Sequence, residues 1–249
     1  MNPAHEGELA MQRRAGVETM AGRVAKIVGA DIPAVAAAFL AHQPFVVVAT
    51  VSSSGATTAS LLIGRARATD PRHVVLTPVA GHLDRVRDDV ASNGIIGMLA
   101  IELATRRRMR LNGHATWRGD ELVIETGEVY SNCPQYITPR PFAPSTSAPA
   151  SLELIARADT FFLATSHPER GADASHRGGP PGFVQRRGPD ELVWPDYPGN
   201  NMFNSLGNLL VNPHCGLLFV DFETGATLQL NGRAEVRGDR EREVVFRFA

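Results

Sequence analysis

The feature that most constrains this chain is that it is written twice. Ala49-Thr50 recurs as Ala164-Thr165, and the same spacing of 115 residues carries Ala59-Ser60 onto Ala174-Ser175 and Gly64 onto Gly179. A spacing of 119 residues then carries Gly97 onto Gly216, Thr105 onto Thr224, Leu111-Asn112-Gly113 onto Leu230-Asn231-Gly232 and Ala115 onto Ala234. The two registers run in one order and differ by a four-residue insertion. A chain of 249 residues with this repeat is expected to fold as two similar units joined in tandem.

Local patterning agrees. Phe45–Val51 is a continuous Val-rich run followed by Ser52-Ser53-Ser54-Gly55, which predicts a buried strand and a turn. Thr58–Ile63 and His73–Thr77 predict the next strands. Leu83, Val86 and Val90 recur at helical spacing before the stop signal Asn93-Gly94. Ile95–Ile101, Arg108–Trp117 and Glu121–Glu125 complete a meander. The second copy repeats the order with strands at Thr160–Thr165, Gly171–Arg177 and Glu191–Trp194, a helix over Phe203–Val211, and strands at Cys215–Phe222 and Thr227–Val236. Many short strands with Gly and Asn turns predict a small barrel rather than an open parallel sheet.

The expected division is a helical extension over residues 1–43, a first copy over 44–138, a Pro-rich linker over 139–151 and a second copy over 152–249. In the extension, His5–Gly29 and Asp31–Gln43 read as helical, with Asp31 as N-cap and Pro33 in the first turn. The last residues, Phe248-Ala249, fall inside a strand expected from Arg242 onward, so the sequence reads as stopping part-way through an element.

Charge excludes some partners. Lys and Arg number 25 against 26 Asp and Glu, so no global field attracts nucleic acid or anionic lipid. Any anionic ligand must be held by a local cluster of donors. The segment after Met1 carries His5, Glu6 and Glu8 and lacks the apolar core of a secretory signal. No apolar run is long enough to span a bilayer. Cys133 and Cys215 are far apart and suggest free thiols. A cytoplasmic location is expected. The histidines are scattered, no metal site is expected, and His5 with Glu6 and Glu8 reads as a solvated charge cluster.

Three segments depart from ordinary strand-and-turn sequence. In the second copy, Asp173-Ala174-Ser175-His176-Arg177-Gly178-Gly179 stands where the first copy has Thr58–Gly64, apolar apart from Thr58 and Ser60. A guanidinium beside glycines suits an anion gripped by a fork and close backbone amides; a surface salt bridge with a glycine turn is the competing reading. The second segment, Trp194 to Asn208, opens the expected helix with Asn200, Asn201, Asn204 and Ser205. A helix start offers unpaired N–H groups to a phosphate, and Asn suits the edge of a heterocycle. One Asn, Asn200 or Asn201, suffices for capping; the cluster exceeds that need. The third is Arg106-Arg107-Arg108-Met109-Arg110, whose counterpart Gly225-Ala226-Thr227-Leu228-Gln229 is uncharged. Strand alternation sends Arg106, Arg108 and Arg110 to one face and Arg107 and Met109 to the other. That run is either a solvated face or one side of a ligand site between the copies.

Ser175-His176-Arg177-Gly178-Gly179, Pro195-Asp196-Tyr197-Pro198-Gly199-Asn200-Asn201-Met202-Phe203-Asn204 and Gly225–Gly232 together resemble the pyridoxamine 5′-phosphate oxidase-like flavin-binding proteins. Asn132-Cys133-Pro134-Gln135-Tyr136-Ile137 also fits their tandem subgroup, which sometimes precedes a ferredoxin-reductase-like module. The resemblance implies a mainly β fold of two tandem split β-barrels, with flavin mononucleotide (FMN) as cofactor in the cleft between barrels. Either the tandem copies supply both barrels or the chain also forms a homodimer. Arg177, with Ser175, His176 and Gly178 on its strand, would touch phosphate or ribityl chain. Asp196, Tyr197, Asn200, Asn201, Met202, Asn204 and Ser205 would cover phosphate and ring, and Arg107 and Arg108 would reach in from the other copy. The oxidase has an Arg-Lys pair where this chain has Asn204-Ser205, which shifts phosphate binding onto Arg177, backbone amides and the opposing arginines.

The implied function is an FMN-dependent oxidoreductase acting between a small-molecule substrate and an electron donor. The alternative is a non-catalytic flavin- or haem-binding module that docks to a reductase. Haem would need an axial ligand from His167, His176 or His214. No residue is required as acid or base; His176 and Tyr197 are candidates by location alone.

Overall fold

A computed structural model describes residues 4–142, 144 and 149–248. Met1, part of the expected linker and Ala249 lie outside the described residues. The first copy is a closed antiparallel barrel in the order β1-β2-β3-β6-β5-β4, with β1 Phe45–Val51, β2 Thr57–Asp70, β3 His73–Gly81, β4 Ile95–Glu102, β5 Arg107–Arg118 and β6 Glu121–Ser131. The second copy is a seven-stranded antiparallel sheet in the order β8-β7-β11-β12-β13-β10-β9. Its strands are β7 Thr160–His167, β8 Gly171–Gly178, β9 Gln185–Arg186, β10 Glu191–Asp196, β11 His214–Val220, β12 Thr227–Arg237 and β13 Arg242–Phe248.

The continuous apolar character of β1 has a simple cause: both its faces are buried. Val46 and Val48 point into the core of the first barrel, while Phe45, Val47 and Ala49 point into a second core shared by the two copies. β7 does the same, with Phe161 and Leu163 in the core of the second copy and Phe162 and Ala164 in the shared one. Period-two alternation thus serves two cores at once.

The duplication is visible in the registers. Ala49 pairs with Ala59 and Gly97, and Ala164 pairs with Ala174 and Gly216. The two copies pack about a local two-fold through these glycines. A Cβ on Gly97 would lie 2.5 Å from the Ala172 carbonyl oxygen, and one on Gly216 would lie 2.7 Å from the Ala59 nitrogen. Each copy inserts a helix before its fourth main strand: α4, Leu83–Asn93, and α6, Asn204–Val211. Thr50 donates to Asp89 on the first, and Asn208 on the second donates to Thr165, again in equivalent positions.

Several expected boundaries change. β2 and β3 are longer than expected because Arg65 and Arg67 face solvent while Ala66 stays buried, an alternation that the charges disguise. The N-terminal extension is broken into α1 Glu6–Ala15, α2 Glu18–Val24, a 3₁₀ turn over Ala25–Ile27 and α3 Ala34–Ala41. Gly16 ends α1 in a left-handed cap, and Pro33, extended at ψ 151°, stands at the N-cap of α3 in place of Asp31. A short α5, Leu154–Arg157, precedes β7. α1 crosses α6 where Gly7 meets Gly207, an approach that any Cβ would block.

The copies differ at one seam. In the first, β2 pairs with β3 and closes the barrel. In the second, the chain turns away after Gly178, and no ladder joins β8 to β10.

Candidate functional site

The unzipped seam opens into a cleft of about 820 Å³, counting its solvent-open mouth. β8 supplies His176, Arg177 and Gly178; β10 and the loop after it supply Asp196, Tyr197, Asn200 and Asn201; α6 supplies Asn204 and Ser205. The first copy closes it with Arg108 and Arg110 from β5 and with Asn132, Cys133, Gln135 and Tyr136 beyond β6. Gly178 permits this closure, since a Cβ there would strike the Tyr136 carbonyl. Tyr136 stacks on Tyr197, with centroids 5.1 Å apart, at the mouth.

A buried polar network forms the floor. Arg110 Nη1 donates to both Asp173 oxygens at 3.1 Å, Tyr130 Oη donates to Oδ1 at 3.2 Å, and Ser205 Oγ lies 3.0 Å from Oδ2. Burial opposes the Arg110 charge, but Asp173 and Tyr130 together outweigh it and hold the guanidinium above its usual range. Burial, reinforced by the Asp173 charge, raises the Tyr130 phenol well above its usual value, so it stays protonated. Arg177 reaches across the seam to Asp196 at 3.1 Å, which also accepts from Arg242 at 2.9 Å.

Arg108 is different. Its guanidinium contacts no carboxylate among the described residues; it donates to the Cys133 carbonyl at 2.6 Å and to His176 Nδ1 at 3.1 Å. Burial, then the nearby Arg110 and Arg177 charges, pulls its pKa down to about 9. It remains charged at neutral pH and poorly compensated. Since a guanidinium can only donate, His176 Nδ1 must accept and Nε2 carries the proton. Burial and the surrounding arginines push the His176 pKa well below its usual value, so the ring is neutral.

Four buried N–H groups of cleft-lining side chains have no partner among the described residues: Arg108 Nε, Arg110 Nε, Arg177 Nε and His176 Nε2. Asn132 Oδ1 is a fifth unpaired atom and an acceptor. The start of α6 adds backbone donors. Phe203 precedes it at φ 62°, no side chain caps it, and the Asn200 carboxamide instead accepts from Met202 N–H at 3.1 Å.

The structure therefore brings His176, Arg177, Gly178, Asp196, Tyr197, Asn200, Asn201, Asn204, Ser205 and Arg108 around one cleft. Three expected residues lie elsewhere. Ser175 is buried behind the wall, 2.9 Å from Ser205 Oγ. Met202 is buried against α1, where its carbonyl accepts from Gln12. Arg107 points outward, pairs with Glu102 and covers Phe39, because one residue of strand alternation separates it from Arg108. Arg106 lies in the turn at φ 58°, not on the strand face with Arg108 and Arg110. Arg110 was not among the expected ligands, although alternation with Arg108 places it on the same face.

A second cluster, His5, Glu6 and His167, gathers three potential ligand atoms within 4.8 Å of one another. The expected solvated group of His5, Glu6 and Glu8 is instead half sequestered, since His5 and Glu8 are largely buried. Its tautomers suit hydrogen bonding rather than metal binding. His5 Nδ1 accepts from Gly7 N–H and His167 Nδ1 accepts from Glu169 N–H, leaving a proton on each Nε2.

Residues 147–248 match the family model described as pyridoxamine 5′-phosphate oxidase. The match covers less than half of the chain and falls on the second copy, which is similar in sequence to the pyridoxamine 5′-phosphate oxidase family. No curated protein matches the chain. Two crystal structures of tagged HupZ from Group A Streptococcus are each 15% identical to it. One, a point variant, covers 40% of this chain and 98% of its own at a TM-score of 0.34; the other covers 38% and 89% at 0.33. No described helix is long and apolar enough to cross a membrane.

Proposed function

We propose that the cleft binds FMN and that the chain is an FMN-dependent oxidoreductase of this family. The observation that carries the reading is the set of four unpartnered buried N–H donors in one cleft. Buried donors without acceptors are costly, and a ligand rich in oxygen acceptors would relieve them. Arg108, which lacks a carboxylate, and the uncapped start of α6 suit a phosphate. Asn132 and the Asn200–Asn204 segment suit the mixed donor and acceptor edge of an isoalloxazine ring. FMN, when bound, supplies the hydride and electron chemistry; the arginines hold it and the Tyr136–Tyr197 pair leaves a flat, solvent-facing mouth for a small substrate or donor.

Haem fits the donor set less well. Of the three histidines considered, only His176 lines the cleft, and its unprotonated nitrogen already accepts from Arg108.

The test is the visible spectrum of purified protein after FMN addition and gel filtration. Flavin bands that co-elute, and that bleach with a chemical reductant, support the reading. A colourless protein that leaves added FMN behind would refute it.

A further inference from the structure

The local two-fold that relates the copies generates a second position equivalent to the cleft, built from β2, α4 and β12. Register fixes the correspondence. Gly97 pairs with Asn112 and Gly216 with Asn231, which sets Thr227 against Arg108 and Gln229 against Arg110. Pairing of Ala49 with Ala59 and Ala164 with Ala174 sets Thr58 against Asp173, Leu61 against His176 and Leu62 against Arg177. Each of the four residues with an unpartnered donor in the cleft therefore has an uncharged counterpart.

The polar groups at this position are bonded within the protein instead. Gln229 Nε2 donates to the Ala59 carbonyl at 2.7 Å and to Ser60 Oγ at 3.2 Å. Asn231 and Arg85 both donate to Thr58 Oγ1, at 2.9 and 3.2 Å. His82, just before α4, accepts the Leu61 N–H on Nδ1 at 2.9 Å and bonds Thr227 Oγ1 through Nε2 at 3.2 Å. The seam itself is zipped, since Leu62 pairs with Gly81 and Ile63 with Ala80 on β3. Where the cleft leaves donors open to a ligand, the equivalent position uses its donors on bonds within the protein.

We propose that this position has become an internal clasp, so that the chain holds one flavin, at the cleft between β5, β8 and α6, and excludes a second. The inference rests on the FMN reading above and adds its stoichiometry and its location. Duplication would supply two equivalent sites; divergence has kept the ligand at one and turned the other into a fastener that holds the two copies together.

The experiment is flavin stoichiometry. The intact chain is saturated with FMN and gel-filtered, and the flavin released by heat is measured against protein. Three proteins are compared: the unaltered chain, Arg108→Ala and Thr227→Val, each checked for folding by circular dichroism. One flavin per chain is expected for the unaltered protein and for Thr227→Val, with tenfold or greater weakening in Arg108→Ala. Two flavins per chain would overturn the clasp while leaving FMN binding intact. One flavin that survives Arg108→Ala and is lost from folded Thr227→Val would place the ligand at the wrong site and also overturn it. No flavin on the unaltered chain would refute the FMN reading itself, and the stoichiometry with it.

Discussion

Arg108 and His176 meet 3.1 Å apart across the boundary between the two copies, and that contact fixes the chemistry of both. The guanidinium takes the imidazole's lone pair, so the ring keeps its proton on Nε2 and behaves as a neutral donor. Each residue comes from a different copy, which makes the cleft a property of the two copies together rather than of either one.

Arg108→Ala should weaken FMN binding by about 10- to 100-fold, the loss of one charge-assisted contact worth roughly 1.5–3 kcal/mol. Its neighbour in sequence is the control. Arg107→Ala, on the outer face, should leave affinity unchanged in the same fluorescence titration. Equal losses in both variants would refute the assignment.

Arg177→Ala should likewise lose flavin far more readily than Arg65→Ala, since Arg65 is exposed and lies outside the cleft. Asp196 keeps Arg242 as partner in this variant, so the fold should survive. Retention of flavin after gel filtration reads the difference.

Asp173→Asn should destabilise the chain by about 3–5 kcal/mol, because the buried Arg110 would lose its only carboxylate contact among the described residues. Urea unfolding measures this. A midpoint close to that of the unaltered protein would show that the floor of the cleft does not depend on that charge.

The protein without added flavin should lose stability as pH falls from about 6.5 toward 4. Burial lowers the His5 pKa to about 4 and pushes His82 and His176 down as well, so these rings stay neutral when folded but take protons when unfolded. Glu8 opposes them. Burial raises its pKa to about 7, so its contribution is fully present below its ordinary value of 4.5 and fades as pH rises through 7. Glu8→Gln removes that opposition and should steepen the acid loss, as thermal unfolding between pH 4 and 8 would record. An unchanged slope would refute the role given to Glu8.

Gly216→Val should loosen the packing of one copy on the other, since its side chain would meet the backbone of β2 from Thr57 to Ala59. The variant should unfold at lower temperature and lose flavin with it. Unchanged stability would mean that the two copies can separate there without cost.

Much of this molecule was legible in the sequence because the repeat is carried by local signals. Ala49-Thr50 and Ala164-Thr165 mark equivalent strands, and continuous apolar runs mark strands buried on two faces. Two anomalies of the second copy stood out, Ser175 to Gly179 against an apolar equivalent and Asp196 to Ser205 by its cluster of Asn and Ser, and both lie at or beside the cleft. Less legible were the breaks in the N-terminal helices and the extent of β2, where exposed arginines hide a regular alternation.

From the sequence alone came two similar copies, the order of their elements along the chain and the segments rich in donors. Tertiary structure decided which of those donors share a space. Arg107 and Arg108 are equivalent in composition and opposite in direction, and only the ladder to β4 and the packing against β8 show which one turns inward. The open seam between β8 and β10, and the filled one between β2 and β3, likewise depend on pairing between strands. Local propensity encodes a strand and its faces; the partner across a cleft is set by the packing of residues far apart in the chain.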